Sequence, residues 1–232
     1  MHWYRAHYKN SNRGLPIGEI APTYFASRMA RERLAQVIPE AKIVCIFRDP
    51  VERIVSLYRL KRAYGIIPWS FEKAILRDPE LMESSKYASN LRAWQQAFGK
   101  DRVLPTVYDD LRDHPQRYVD SLVDFIGVPR FTLTPSQLIP LHDSEAMTQP
   151  RSYYRTRSAL IMADWLKARR LDRIVKALKG SPLRKLILGG GAGFGELSPE
   201  TLQRLHEHFA PEVEELEAIL QRNLSWKSLT AA

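Results

Sequence analysis

Six consecutive residues, Lys42-Ile43-Val44-Cys45-Ile46-Phe47, run straight into Arg48-Asp49-Pro50. The run is short, continuous and partly β-branched, which marks a strand rather than a helix. It lacks the alternation of a half-solvated strand, so it predicts burial on both faces, as in a parallel sheet. Pro50 suits the first turn of a helix, and the pattern extends to about residue 64. A second strand is expected over 102–108. Helices are expected over 27–37, 71–76, 85–98 and 115–126, with Gly127 stopping the last. Strands separated by helices imply an α/β sheet, in which ligands lie beyond the carboxyl ends of the strands. Arg48 stands at such an end, with a planar guanidinium suited to phosphate. The N-terminus of the next helix offers backbone N–H donors, and Ser56 lies on its second turn.

The rest of the chain fits around this centre. Residues 1–8 read as the end of a helix and Leu15–Glu19 as a short extended segment. Residues 128–155, rich in Pro, Thr and Ser, read as a long loop. Two basic helices follow, about 157–169 and 171–179. Ser198-Pro199-Glu200 caps a final helix, which Pro211 breaks or restarts and which runs to about Leu220. The 232 residues suffice for one sizeable core. The one cysteine, Cys45, excludes an internal disulfide framework and a cysteine-built zinc site, and reads as a buried, inert thiol in a reducing, cytoplasmic setting. No apolar run approaches the ~20 residues that span a bilayer, and the first ten residues show no signal-peptide pattern.

The net charge of +9 is concentrated. Residues 151–185 hold eleven Lys and Arg against two Asp, and the other 197 residues are neutral. Such a segment is either a solvated helical face or a contact for an anionic ligand, nucleic acid or membrane surface.

Arg48-Asp49-Pro50-Val51-Glu52-Arg53, followed by Ser56-Leu57-Tyr58, resembles the 3′-phosphate-binding motif of the sulfotransferases, enzymes that use 3′-phosphoadenosine 5′-phosphosulfate (PAPS). Trp3-Tyr4-Arg5-Ala6-His7-Tyr8, Gly18-Glu19-Ile20-Ala21-Pro22-Thr23-Tyr24, Tyr87 to Phe98, Tyr108-Asp109-Asp110-Leu111, Leu197-Ser198-Pro199-Glu200 and Phe209-Ala210-Pro211 are similar to further family segments in the family's order. The likeness is strongest over residues 42–58 and to the bacterial and heparan-sulfate-type branch. It implies a P-loop-NTPase-like three-layer α/β sandwich with a parallel central sheet, formed by a single domain over 1–232 with a basic helical insertion at about 151–185. It also implies that Arg48 and Ser56 hold the 3′-phosphate of PAPS or of its product PAP, and that no metal is required.

Two family features do not appear in the sequence. One is the K-x-G-T-T loop that cradles the 5′-phosphosulfate; the other is the E-x-H-F-F-D segment that carries the usual base. The chain therefore resembles the family's domain without its N-terminal strand and loop, as a fragment or as a degenerate relative. Gly189-Gly190-Gly191-Ala192-Gly193-Phe194-Gly195 does not replace the loop, because Glu196 and Leu197 stand where Lys and Ser or Thr are needed; it reads as a flexible connector. Glu19 is the candidate replacement base, His7 a second acid–base candidate, and His142 and Asp143 candidates for lining an acceptor site. Three functions follow from these readings: sulfuryl transfer to a hydroxyl or amine, carbohydrate or small molecule; a non-catalytic nucleotide-binding relative; or a basic binder of nucleic acid or membrane surfaces.

Overall fold

The computed structural model describes residues 14, 16–138, 148–169, 171, 190–195 and 197–226. In chain order its elements are α1 (Arg28–Val37), β1 (Ile43–Phe47), α2 (Pro50–Ala63), α3 (Phe71–Arg77), α4 (Pro79–Glu83), α5 (Tyr87–Phe98), β2 (Val103–Val107), α6 (Tyr108–Asp113), α7 (Pro115–Ile126), β3 (Thr148–Pro150), α8 (Tyr153–Ala168), β4 (Gly190–Gly193) and α9 (Pro199–Leu220). The chain forms two compact units, each assembled from three stretches: Met1–Arg48, Lys86–Ile139 and Glu212–Leu224 in the first, and Asp49–Ser85, Pro140–Pro211 and Ser225–Ala232 in the second.

The first unit is built on a parallel pair. β1 and β2 run in register from Ile43 opposite Val103 to Phe47 opposite Val107. Cys45, Phe47, Val103 and Val107 are buried. Phe47 meets Tyr87 at 4.9 Å and Phe25 at 5.5 Å between ring centroids. Trp94 of α5 donates its indole N–H to the carbonyl of Phe25 at 2.8 Å, pinning the approach to α1. Behind the sheet, the buried Thr106 hydroxyl donates to the carbonyl of Cys45 at 3.0 Å and lies 2.9 Å from the hydroxyl of Tyr118 on α7. This satisfies polar groups that would otherwise be costly to bury.

β1 is not covered on both faces. Val44 and Ile46 are exposed while Cys45 and Phe47 are buried, so the strand alternates despite its unbroken apolar sequence. Apolar composition permits two-sided burial, but the neighbouring elements determine it; among the described residues only one face of β1 is packed.

α5 is capped from far along the chain. Its N-cap position, Lys86, makes no side-chain cap. Instead the carboxylate of Glu212 accepts from the N–H groups of Ala88 at 2.9 Å and Ser89 at 3.2 Å, and from the Ser89 hydroxyl. An anion at a helix N-terminus meets both the unpaired donors and the positive end of the dipole.

The second unit packs α2, α3 and α4 around Val51, Ile54, Tyr58, Phe71 and Leu81, joined by Leu205 and Phe209 from α9. Tyr58 meets Phe71 edge-on at 5.2 Å. Near the far end of α2 the ammonium of the buried Lys61 bridges Asp78 at 2.6 Å and Glu80 at 2.5 Å. Burial alone would disfavour its charge, but the hydrogen bonds to both carboxylates outweigh it and hold the amine above its ordinary range. β3 pairs antiparallel with β4, Thr148 opposite Gly193 and Pro150 opposite Gly190.

Most of the expected elements stand within a residue or two. α8 begins at Tyr153, four residues before its expected start, α9 passes through Pro211 without a break, and Tyr108 opens α6 rather than closing β2. The glycine-rich stretch expected to be a flexible connector forms β4 over Gly190–Gly193. The helices expected over 1–8 and 171–179 lie outside the described residues, apart from Leu171.

Candidate functional site

The site starts from the register of the parallel pair. Phe47 and Val107 are the last paired residues, so Arg48 and Tyr108 leave the sheet side by side at its carboxyl edge. There the Arg48 guanidinium lies 5.7 Å from the centroid of the Tyr108 ring, within cation–π range. Arg48 is half-buried, and the Tyr108 ring beside it limits where its guanidinium can lie.

The carboxylates beside this position are engaged by arginines. Asp109 accepts from Arg112 at 3.0 Å, and Asp110 takes a two-point contact from Arg222 at 2.6 and 3.1 Å. The Asp110 hydrogen bond raises the Arg222 guanidinium above its ordinary value. Arg112 is shared, since it also makes a two-point contact with Asp113 at 2.8 and 3.1 Å.

The turn after Arg48 is built by Asp49. Its buried carboxylate accepts from Val51 N–H at 2.8 Å and Glu52 N–H at 3.1 Å, and its carbonyl takes Arg53 N–H at 2.9 Å. Pro50 has no N–H to offer. The first-turn donors of α2 are therefore satisfied by Asp49, and the helix N-terminus is not the anion site that the sequence pattern anticipates. Arg53 donates to the hydroxyl of Ser84, which donates onward to the carbonyl of Glu80, and the buried Ser85 hydroxyl donates to the carbonyl of Pro50 at 3.5 Å. This bracing holds the opening of α2. Ser56 is half-buried on the second turn of that helix, about 9 Å along the axis from Pro50 at 1.5 Å per residue.

Glu19 lies on the exposed segment 16–20, where the Tyr24 hydroxyl donates to its carboxylate at 3.4 Å. His7, His142 and Asp143 lie outside the described residues, as does Glu196. Among the described residues no cluster of His, Cys, Asp and Glu could hold a metal ion. Sequence reasoning missed the pairing of Arg48 with Tyr108. Each follows directly on one of the two parallel strands, but the sequence pattern places Tyr108 inside the second strand, and the register of the pair could not be read in advance.

The described elements have counterparts in known proteins. The structure superposes on the crystal structure of a sulfotransferase from Alicyclobacillus acidocaldarius with a TM-score of 0.64, over 97% of this chain and 72% of that one, at 18% identity. The fold is thus that of a sulfotransferase, P-loop-like with a parallel sheet. Residues 20–132 match the model of the sulfotransferase family. Over 124 residues the chain is 27% identical to the mouse bifunctional heparan sulfate N-deacetylase/N-sulfotransferase 1, and over 137 residues 27% identical to the mouse heparan sulfate glucosamine 3-O-sulfotransferase 3B1. These alignments cover 47% and 55% of this chain but only 14% and 35% of those relatives. Arg48, Ser56 and Tyr108 all lie within the residues that match the sulfotransferase family model, and over that segment the chain is similar to sulfotransferases.

Proposed function

We propose that this chain binds the adenosine 3′,5′-bisphosphate moiety of PAPS and serves sulfuryl transfer to a hydroxyl or amine acceptor. The observation that carries this reading is Arg48 at the carboxyl edge of the parallel pair, its guanidinium within cation–π range of Tyr108, inside the segment that matches the family model. A guanidinium and a hydroxyl are the donor types a phosphate dianion requires, so Arg48 and Ser56 fit the 3′-phosphate. Sulfuryl transfer is an in-line displacement at sulfur with charge spread over the sulfonate oxygens, so positioning and fixed cationic charge supply most of the rate. Glu19 is the base candidate; its role would be to take the acceptor's proton. The interleaving of the two units along the sequence supports treating 1–232 as one sulfotransferase-like domain, and the lone buried thiol supports a cytoplasmic setting. A second reading, a nucleotide-binding relative without turnover, draws support from the glycine-rich stretch. Gly190–Gly193 is a strand paired with β3 and not a phosphate loop.

Calorimetric titration with adenosine 3′,5′-bisphosphate and with adenosine 5′-monophosphate tests the proposal. Charge-assisted hydrogen bonds are worth ~1.5–3 kcal/mol and ordinary ones ~0.5–1.5. Arg48→Ala should weaken the bisphosphate by about tenfold or more, and Ser56→Ala by less. Neither should change the monophosphate. Equal weakening of both nucleotides by Arg48→Ala would remove the arginine from the 3′-phosphate.

A further inference from the structure

α8 presents an unusual outward face. Tyr154, Ser158, Ile161 and Trp165 recur at spacings of four, three and four, which places them in one stripe along the helix. Tyr154 is 80% exposed, Ile161 56% and Trp165 47%, and Met162 beside them is 57% exposed. Ser158, Ile161, Met162 and Trp165 line a shallow depression. A solvated helix carries polar residues on this face.

The inner face is held in place. Thr156 is fully buried and packs just beyond the end of α2, at Gly65. Gly65 has φ of +61°, and a Cβ there would lie 3.1 Å from the Thr156 side chain. This close approach sets the rotation of α8 and leaves the apolar stripe facing outward.

The stripe is bordered by cations. Arg157 lies on one side, and Arg155 and Arg169 on the other, all exposed. The Arg169 guanidinium lies over the Trp165 ring, 4.0 Å from its centroid. The one acidic residue of the helix, Asp164, accepts from Lys167 at 3.0 Å. The segment 151–185 as a whole carries a surplus of nine positive charges.

We infer that α8 is a membrane-surface contact, laying Tyr154, Ile161, Met162 and Trp165 into the interfacial zone of an anionic bilayer while Arg155, Arg157 and Arg169 meet lipid phosphates. Amphipathic interfacial helices combine an aromatic and aliphatic face with flanking Lys and Arg in this way. Among the described residues no helix is long and apolar enough to cross the bilayer, so the contact would be peripheral. A second copy of the chain is a poorer occupant, because it would set one strongly cationic segment against another. Nucleic acid is also poorer, since Ile161 and Met162 would occupy the centre of the contact without stacking or pairing.

The test is vesicle flotation of the full chain at about 0.1 M salt, where charge attraction is still felt within ~10 Å. The expected result is binding to 1:1 phosphatidylcholine–phosphatidylglycerol vesicles and much weaker binding to phosphatidylcholine alone. Arg155→Gln/Arg157→Gln should weaken the first by about 25-fold, roughly fivefold for each cation near the anionic surface. Ile161→Ser/Trp165→Ser, both at exposed positions, should weaken it by about tenfold or more. Thermal melting of each variant at the wild-type temperature confirms that the fold is kept; should the double serine variant melt early, Met162→Ser takes its place, with about threefold weakening expected. Absence of flotation, or flotation indifferent to the apolar substitutions, overturns the inference. So does lipid-free dimerisation abolished by the serine variant, or duplex DNA binding that ignores the apolar substitutions while vesicles stay unbound.

Discussion

Asp49 occupies the place a bound anion takes at many helix N-termini. Its carboxylate holds the N–H groups of Val51 and Glu52, so α2 presents no empty donor cradle there, and the proposed phosphate contact rests on side chains rather than on the helix N-terminus. The sequence made Arg48 legible, because an arginine directly after an apolar strand has few structural uses. It did not disclose whether Asp49 would face a ligand or its own helix, since both fit an Asp-Pro pair. Cys45 was equally legible as an inert thiol. Burial pushes it up to about 12 from an ordinary 9.0, so a thiol reagent at pH 8 should label it only after unfolding. The sign for stability follows from linkage. Between about pH 9 and pH 12 the unfolded chain releases this proton and the folded chain keeps it, so folding weakens as pH rises. The loss is up to about 1.4 kcal/mol per pH unit. Urea melts at pH 8 and pH 10.5 should show this slope in the wild type and a flatter one in Cys45→Ala; an identical slope in the two proteins would contradict the assignment.

Elements were readable where their signals were local. α7 begins at Pro115 and stops before Gly127, as its proline and glycine announce. The αL conformation of Gly127 is one that few other residues accept at low cost. Elements held by distant partners were not readable. α5 lacks a capping residue of its own and borrows Glu212, more than a hundred residues on, and no local pattern points to such a partner. Glu212→Ala should cost about 1–2 kcal/mol, as loss of a helix cap does, measured as a lower midpoint in denaturant with an unchanged m-value. Glu212→Asp, one methylene short, should recover part of the loss. The β3–β4 ladder was hidden for a different reason: one strand ends in Pro150 and the other is three-quarters glycine, residue types with little strand preference of their own.

At the scale of the molecule, the alternation of strands and helices was enough to anticipate a parallel α/β fold, because a parallel pair requires a long crossover. What it could not anticipate was the completeness of the chemistry. No lysine-bearing glycine loop is found in the sequence, and the one glycine-rich stretch is a strand. Residues 1–232 expressed alone should therefore hold adenosine 3′,5′-bisphosphate but turn over PAPS well below the ~1 per second of an ordinary enzyme. A coupled assay with a panel of hydroxyl and amine acceptors checks this, and turnover at or above that rate would show that other residues do the work of the loop. The two compact units also have a genetic consequence. Each is gathered from three separated stretches of sequence, with the seams at residues 48–49, 85–86, 139–140, 211–212 and 224–225. No single stop codon or new start codon can yield either unit whole and by itself. A nonsense mutation anywhere before residue 212 deprives both of necessary chain, and a recombination event between relatives can exchange neither one as a cassette.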